Sequence, residues 1–248
     1  MRILYLIPGW MSRTEGGRHE MARRGQFLRQ SAQPESVVDV WDVEGGPSSI
    51  ESMYEEYLSV PGALGRIQEA AAAGYAGVIL GCFGDPGVDA ARELVTIPVV
   101  GPGEAGMLFA ASLGHRFSIV TILDSVIHPL RRLARDVGVD SKLASVRAVN
   151  IPVLELARDR TGTFERMLEA GRLARDVDGA DTLVLGCMTM AFLGEHRALG
   201  EALGIPVVNP VHAALRLVES LVAMGLAHSK RAFPTPPKMA APEAARAW

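Results

Sequence analysis

Cysteine is scarce in this chain: there are two in 248 residues, Cys82 and Cys187. They form no CxxC, and the six histidines form no HxH or HExxH. That excludes the usual zinc spacings and a disulfide framework, so no metal site is expected. A basic excess is also missing: 25 Lys and Arg face 28 Asp and Glu, for a net charge of −3. Without one there is little to hold a phosphate backbone, and no nucleic-acid partner is expected. No apolar run reaches the roughly 18 residues that a membrane helix needs. The opening residues, Met1 to Pro8, are too short for a signal peptide's apolar core and lack a cleavage site, which predicts a cytoplasmic protein with no membrane partner. Aromatics are few at 6%, yet 48% hydrophobic and 21% charged is globular composition, so wholesale disorder is out. At roughly 100–200 residues per domain, the length suits one large domain or two small ones.

What the chain does have is an internal repeat. Arg2-Ile3-Leu4-Tyr5-Leu6-Ile7 reads like Arg116-Phe117-Ser118-Ile119-Val120-Thr121. Ala76-Gly77-Val78-Ile79-Leu80-Gly81-Cys82 reads like Asp181-Thr182-Leu183-Val184-Leu185-Gly186-Cys187. Thr96-Ile97-Pro98-Val99-Val100 reads like Gly204-Ile205-Pro206-Val207-Val208. The pairs keep their order at offsets of 114, 105 and 108 residues. Each segment is a short β-branched run ending in Gly, Pro or a polar residue, the mark of a buried parallel strand. Helical stretches over 62–73 and 164–174 precede the two cysteine strands. The expectation is an α/β fold of two pseudo-symmetric lobes, each a parallel sheet flanked by helices. The first lobe would take residues 1–112 and 211–228, and the second 113–210. Residues 229–248 are rich in Pro and Ala and read as a surface tail.

Ligands of open α/β sheets bind beyond the carboxyl ends of the strands. Both cysteines stand there, each straight after Leu-Gly. Asp85 and Pro86 look like the cap and first residue of a helix after Cys82, and Thr189 like a cap after Cys187. A helix N-terminus would lower a thiol pKa. If the lobes face each other, the two thiols approach one ligand from opposite sides, as inversion of a carbon centre requires. The bland alternative is two buried hydrophobes. Beside them, Phe83 could stack on a ligand or simply pack, Thr121 ends the repeated first strand as a polar contact, and Met188 is the better pocket residue of Met188 and Met190. His212, alone on an apolar helix, reads as structural, and Arg131, Arg132, Arg135 and Asp136 read as a solvated helix face.

At these residues the chain resembles the aspartate/glutamate/hydantoin racemase superfamily, above all its hydantoin and allantoin racemase branch. Gly81-Cys82-Phe83-Gly84-Asp85-Pro86-Gly87 with Ala90-Ala91-Arg92-Glu93 is similar to that branch's first cysteine motif, and Leu185-Gly186-Cys187-Met188-Thr189-Met190 to the second. The resemblance implies an interlobe active site and cofactor-independent racemisation by Cys82 and Cys187 of a small carbonyl compound, most simply a cyclic ureide. It also implies a homo-oligomer and a C-terminal helix, about 211–228, that returns to the first lobe. Substrate contacts are then expected from Pro8, Gly9, Trp10, Phe83, Gly84, Thr121, Met188 and Thr189. The chain departs from the family after its first strand: Pro8-Gly9-Trp10-Met11-Ser12 stands where the family typically has Asn-Pro-Asn.

Three rivals remain at the level of sequence. One is another reaction of the same superfamily: amino-acid racemisation, cis–trans isomerisation or decarboxylation. Another is a non-catalytic module that closes on a small carbonyl ligand. The third is an NAD-dependent oxidoreductase. Gly101-Pro102-Gly103-Glu104-Ala105-Gly106 matches GxGxxG after a strand, with Asp124 21 residues beyond Gly103 as the ribose acid. Pro102 removes a backbone donor there, and the repeat copy at Asn209-Pro210 has no glycine at all.

Overall fold

The computed structural model describes residues 1–240. It contains two four-stranded parallel sheets. In the first, β1 (Arg2–Ile7), β2 (Val37–Asp42), β3 (Gly77–Leu80) and β4 (Val99–Val100) lie in the order β2-β1-β3-β4. In the second, β5 (Phe117–Thr121), β6 (Leu143–Ala148), β7 (Thr182–Leu185) and β8 (Val207–Val208) lie in the order β6-β5-β7-β8. The repeat keeps its register. Ile3 pairs with Gly77 and Leu6 with Leu80, as Phe117 pairs with Thr182 and Val120 with Leu185. Val78 pairs with Val99 as Leu183 pairs with Val207. The central strands β1, β3, β5 and β7 are almost wholly buried, which is why they read as unbroken apolar runs.

Helices α1 (Glu15–Ser31), α2 (Met53–Ala72), α3 (Val88–Leu94), α4 (Pro102–Leu113) and α5 (Ile127–Asp136) cover the first half and its junction with the second. Helices α6 (Arg160–Asp176), α7 (Met188–Phe192), α8 (His196–Leu203) and α9 (Pro210–Ala223) follow. Two of them change partners. After β4, α4 packs on β7 and β8 of the second sheet; after β8, α9 packs on β3 and β4 of the first. The two crossing helices also pack on each other. By packing, residues 102–113 therefore go with the second sheet, although the repeat suggested the first lobe up to 112. Helix α9 stops at Ala223 rather than running to 228. One apolar cluster runs through this junction and includes Tyr5, Ile79 and Phe83 from one half with Phe117, Val184 and Phe192 from the other, and a second, with Leu4, Leu80 and Val99, lies within the first half.

The start of the tail is tied down: Lys230 Nζ donates to the carbonyls of Arg92 (2.7 Å) and Glu93 (2.8 Å). The Phe233 ring lies 5.9 Å from His228 and 5.4 Å from the Arg92 guanidinium. A short helix, α10 (Pro237–Ala240), follows. Residues 241–248 of the expected tail lie outside the described residues. No helix among those described is long and apolar enough to cross a membrane.

Candidate active site

Strand β3 delivers Cys82 and strand β7 delivers Cys187, each through one glycine. Both glycines are required by close approach. A Cβ on Gly81 would stand 2.5 Å from the Tyr5 hydroxyl and ring, and one on Gly186 would stand 2.6 Å from Ile119 Cγ2. The chain must pass flat over the central strand of its own sheet to turn each sulfur into the space between the sheets. There both cysteines line one cavity of about 100 Å³, several times the room that a single water needs.

Seven of the other expected contacts line the same cavity: Pro8, Gly9, Phe83, Gly84, Thr121, Met188 and Thr189. Trp10 is not among its lining residues. It precedes a 3-10 turn (Met11–Arg13), and its ring carries the Arg13 guanidinium at 5.7 Å. Its neighbour Met11 lines the cavity instead. Sequence reasoning missed two charged residues in the wall, Arg24 of α1 and Glu56 of α2, and the loop Ser48-Ser49-Ile50. Arg24 sits in a helix of weak apolar pattern, and the loop carries no motif. Glu56 stands beside Glu55, which is taken up by the cap of α2: Glu55 Oε2 accepts from the Ser52 hydroxyl at 2.9 Å.

The two thiols differ in their surroundings. Burial pushes the pKa of both up, against the lowering expected from flanking helices. The reason lies in chain geometry. Helix α3 begins only at Val88, six residues past Cys82, and the backbone N–H that lowers the Cys82 pKa is that of Gly84, outside the helix. Near Cys82 the carboxylates of Glu56 and Asp85 and the charge of Cys187 push the pKa further up, and the Gly84 N–H opposes them. Cys187 stands directly at the start of α7. The N–H groups of Met190 and Thr189, the Arg24 charge and the Thr189 hydroxyl all work against its burial. Cys187 thus has more groups around it that favour a thiolate than Cys82 has.

Arg24 is held for this task. It is buried, its Nε donates to Glu20 Oε1 at 2.8 Å, and its Nη2 donates to Thr189 Oγ1 at 2.9 Å. Its guanidinium lies 4.8 Å over the Phe192 ring. Arg23 grips the other Glu20 oxygen at 2.7 Å and reaches the Phe192 carbonyl at 2.8 Å. Together these pairs lower the Glu20 pKa despite its burial. Tyr5 lies beneath Gly81, close enough to Arg24 and both cysteines to feel their charges, and its buried hydroxyl has no partner among the described residues. Thr121 Oγ1 donates to the Gly186 carbonyl at 3.1 Å and so fixes the strand end before Cys187.

Asp85 does not cap the helix that follows it. In a left-handed turn (φ 52°), its carboxylate reaches across to α4 and accepts from Gly103 N at 2.9 Å and Glu104 N at 2.6 Å. A Cβ on Gly101 would stand 2.3 Å from the Asp85 carboxyl carbon. The GxGxxG glycines therefore make room for a protein carboxylate at the helix N-terminus where a dinucleotide pyrophosphate would have to sit. That overturns the oxidoreductase alternative. His212 is structural, stacked on Phe27 at 5.4 Å and bonded to the Ser31 hydroxyl at 3.1 Å.

A profile of the Asp/Glu/hydantoin racemase family matches residues 15–218. The chain belongs to that family. It is 36% identical over 185 residues to a hydantoin racemase of Pseudomonas sp. (strain NS671), covering 75% of this chain and 74% of the relative. Two solved structures superpose closely. One is an allantoin racemase from Klebsiella pneumoniae (TM-score 0.86, 34% identity, covering 95% of this chain and 94% of that one). The other is an allantoin racemase from Pseudomonas fluorescens (TM-score 0.88, 31% identity, 96% and 97%). As a member of this racemase family the protein is an isomerase that acts on a small molecule. No group of three or more His, Cys, Asp or Glu placed to hold a metal ion occurs among the described residues.

Proposed function

We propose that the protein racemises a five-membered cyclic ureide of the hydantoin or allantoin kind, inverting the carbon next to a ring carbonyl. The observation that carries this reading is the shared cavity: one cysteine from each half of a duplicated chain borders the same small space. Cys187, as thiolate, takes the proton from the carbon. The electron pair left behind moves into the adjacent carbonyl, giving an enolate. The Cys82 thiol then delivers its proton to the opposite face as the enolate collapses. Inversion leaves Cys187 protonated and Cys82 as thiolate, which is the state that accepts the other enantiomer. The ring carbonyl is the electron sink, so the chemistry asks for no cofactor. Each acid–base group contributes about 10²–10⁴-fold.

The apolar part of the wall, with Ile7, Phe83, Ile122, Val126, Leu130 and Met188, suits a flat ring and keeps water from competing for the proton. On this reading the lobes are 1–101 with 210–223, and 102–209, so that α4 and α9 hold the two faces of the cleft together. A reducing cytoplasm, where both thiols stay free, is the compartment that fits. The test is racemisation of single enantiomers of allantoin and 5-substituted hydantoins in D₂O, read by polarimetry and proton NMR. Loss of rotation together with loss of the α-proton signal is expected. Retained rotation and a retained α-proton on every ureide, under conditions where both thiols react with iodoacetamide, would refute it.

A further inference from the structure

The cavity wall holds two charged side chains, and they are not equivalent. Arg24 is matched by Glu20 and Thr189. The Glu56 carboxylate accepts no hydrogen bond from any described residue and belongs to no ion pair within them. Arg132 is near enough to be felt, but its guanidinium lies on Met53 Sδ at 3.9 Å rather than on the carboxylate. Half-buried, Glu56 has its pKa raised by loss of solvent. Its position is well defined: a methyl placed on Gly84 would meet both Glu56 Oε1 (2.5 Å) and Cys82 Sγ (3.9 Å). The carboxylate and the Cys82 sulfur thus flank the same glycine. Glu56 and Gly84 also line a second cavity, of about 260 Å³, bounded by Tyr57, Asp89 and Arg132 among others. The two cavities share Glu56 and Gly84 as lining residues.

A buried or half-buried carboxylate without a donor is costly, and nothing in the folding of α2 needs this one: Glu55, not Glu56, serves the cap. We infer that Glu56 is the specificity-determining residue of the cavity, accepting hydrogen bonds from an N–H-bearing substituent (ureido, guanidino or ammonium) on the reacting carbon. The inference rests on the cyclic-ureide reading and adds to it which substituents are taken. A neutral apolar substituent would leave the carboxylate unpaired, and an anionic one would be repelled by it.

The test compares racemisation of four ureides by the wild-type protein and Glu56→Gln: allantoin, 5-(4-aminobutyl)hydantoin, 5-benzylhydantoin and 5-(2-carboxyethyl)hydantoin. The wild type is expected to favour the first two. In Glu56→Gln, the ratio of kcat/KM for the aminobutyl over the benzyl compound should fall roughly ten- to a hundredfold, the worth of one hydrogen bond to a charged group. The loss should sit mainly in KM, and the carboxyethyl compound should gain relative to both. Thermal melting establishes that the variant is folded. An unchanged ranking, with or without a kcat change common to all four through Cys82, or loss of every activity in a folded variant overturns the inference, because each points to proton handling or structure rather than selection. A wild-type protein inert on all four ureides overturns the cyclic-ureide reading itself, and this inference with it.

Discussion

Replacing Arg24 by Met tests the electrostatic difference between the two thiols. The guanidinium donates to Thr189 Oγ1 at 2.9 Å, and both groups hold the Cys187 pKa below what burial alone would set. Losing the Arg24 charge should therefore raise the apparent Cys187 pKa. The thiolate fraction at a given pH then falls, and kcat should fall with it by about tenfold or more, part of the roughly 10²–10⁴ that an acid–base group contributes. The assay is the rate of iodoacetamide alkylation of each cysteine against pH, with the two thiols separated by peptide mass spectrometry. In Arg24→Met the Cys187 profile should move to higher pH, while the Cys82 profile, set by burial, the Gly84 N–H, Glu56 and Asp85 and touched by Arg24 only through Cys187, should move much less. Thr189→Val, which leaves the buried Arg24–Glu20 pair intact, should give a smaller shift in the same direction. A Cys187 profile that superposes on wild type in both folded variants would refute the reasoning.

Other expectations follow from packing and burial. Gly81→Ala places a methyl 2.5 Å from the Tyr5 hydroxyl and ring. That overpacking should cost about 1–3 kcal/mol in denaturant unfolding and displace Cys82, so activity should fall even where the variant is folded. Asp85→Ala removes the carboxylate from the Gly103 and Glu104 N–H groups and should cost about 0.5–2 kcal/mol, as lost helix caps do; an unchanged denaturation midpoint would contradict the assignment. For His212, burial and the neighbouring His196, Arg197 and Arg216 charges push the pKa down to about 4. The folded state therefore holds it neutral. Its contribution is complete above about pH 6.5 and is lost as the pH falls towards 4. Discounted for partial solvent exposure, it amounts to about 1–2 kcal/mol. Unfolding of His212→Gln across that range should show a flatter loss of stability than wild type, and equal slopes would count against it.

Much of this architecture is visible in the amino-acid order because the central strands are buried on both faces and so carry continuous β-branched runs, twice over. The edge strands β2 and β6 are half-exposed, carry a mixed pattern and do not stand out. The exchange of α4 and α9 between sheets was hidden for another reason: a repeat reports which segments are alike, not which sheet each covers. At the site, the residues next to Cys82 and Cys187 were legible because they are fixed in sequence to the strand ends. Arg24 and Glu56 come from helices whose distance from those strands is set by tertiary packing alone, and neither lies in a motif. The Asp85 turn was misread because an Asp before a Pro looks like a local cap; its actual partner is a helix start 18 residues downstream. The thiol pKa directions were misread for the same kind of reason, since proximity in sequence to a helix says little about the burial that outweighs its dipole.

The central claim is that the two sulfurs serve opposite faces of one carbon. The most direct measurement is α-proton exchange in D₂O by Cys82→Ser and Cys187→Ser, each given the two enantiomers of one ureide separately. Each variant should lose racemisation and still exchange the α-proton of a single enantiomer, with the enantiomer reversed between the two variants. Wild-type racemisation by either variant, or exchange of the same enantiomer by both, would contradict the account.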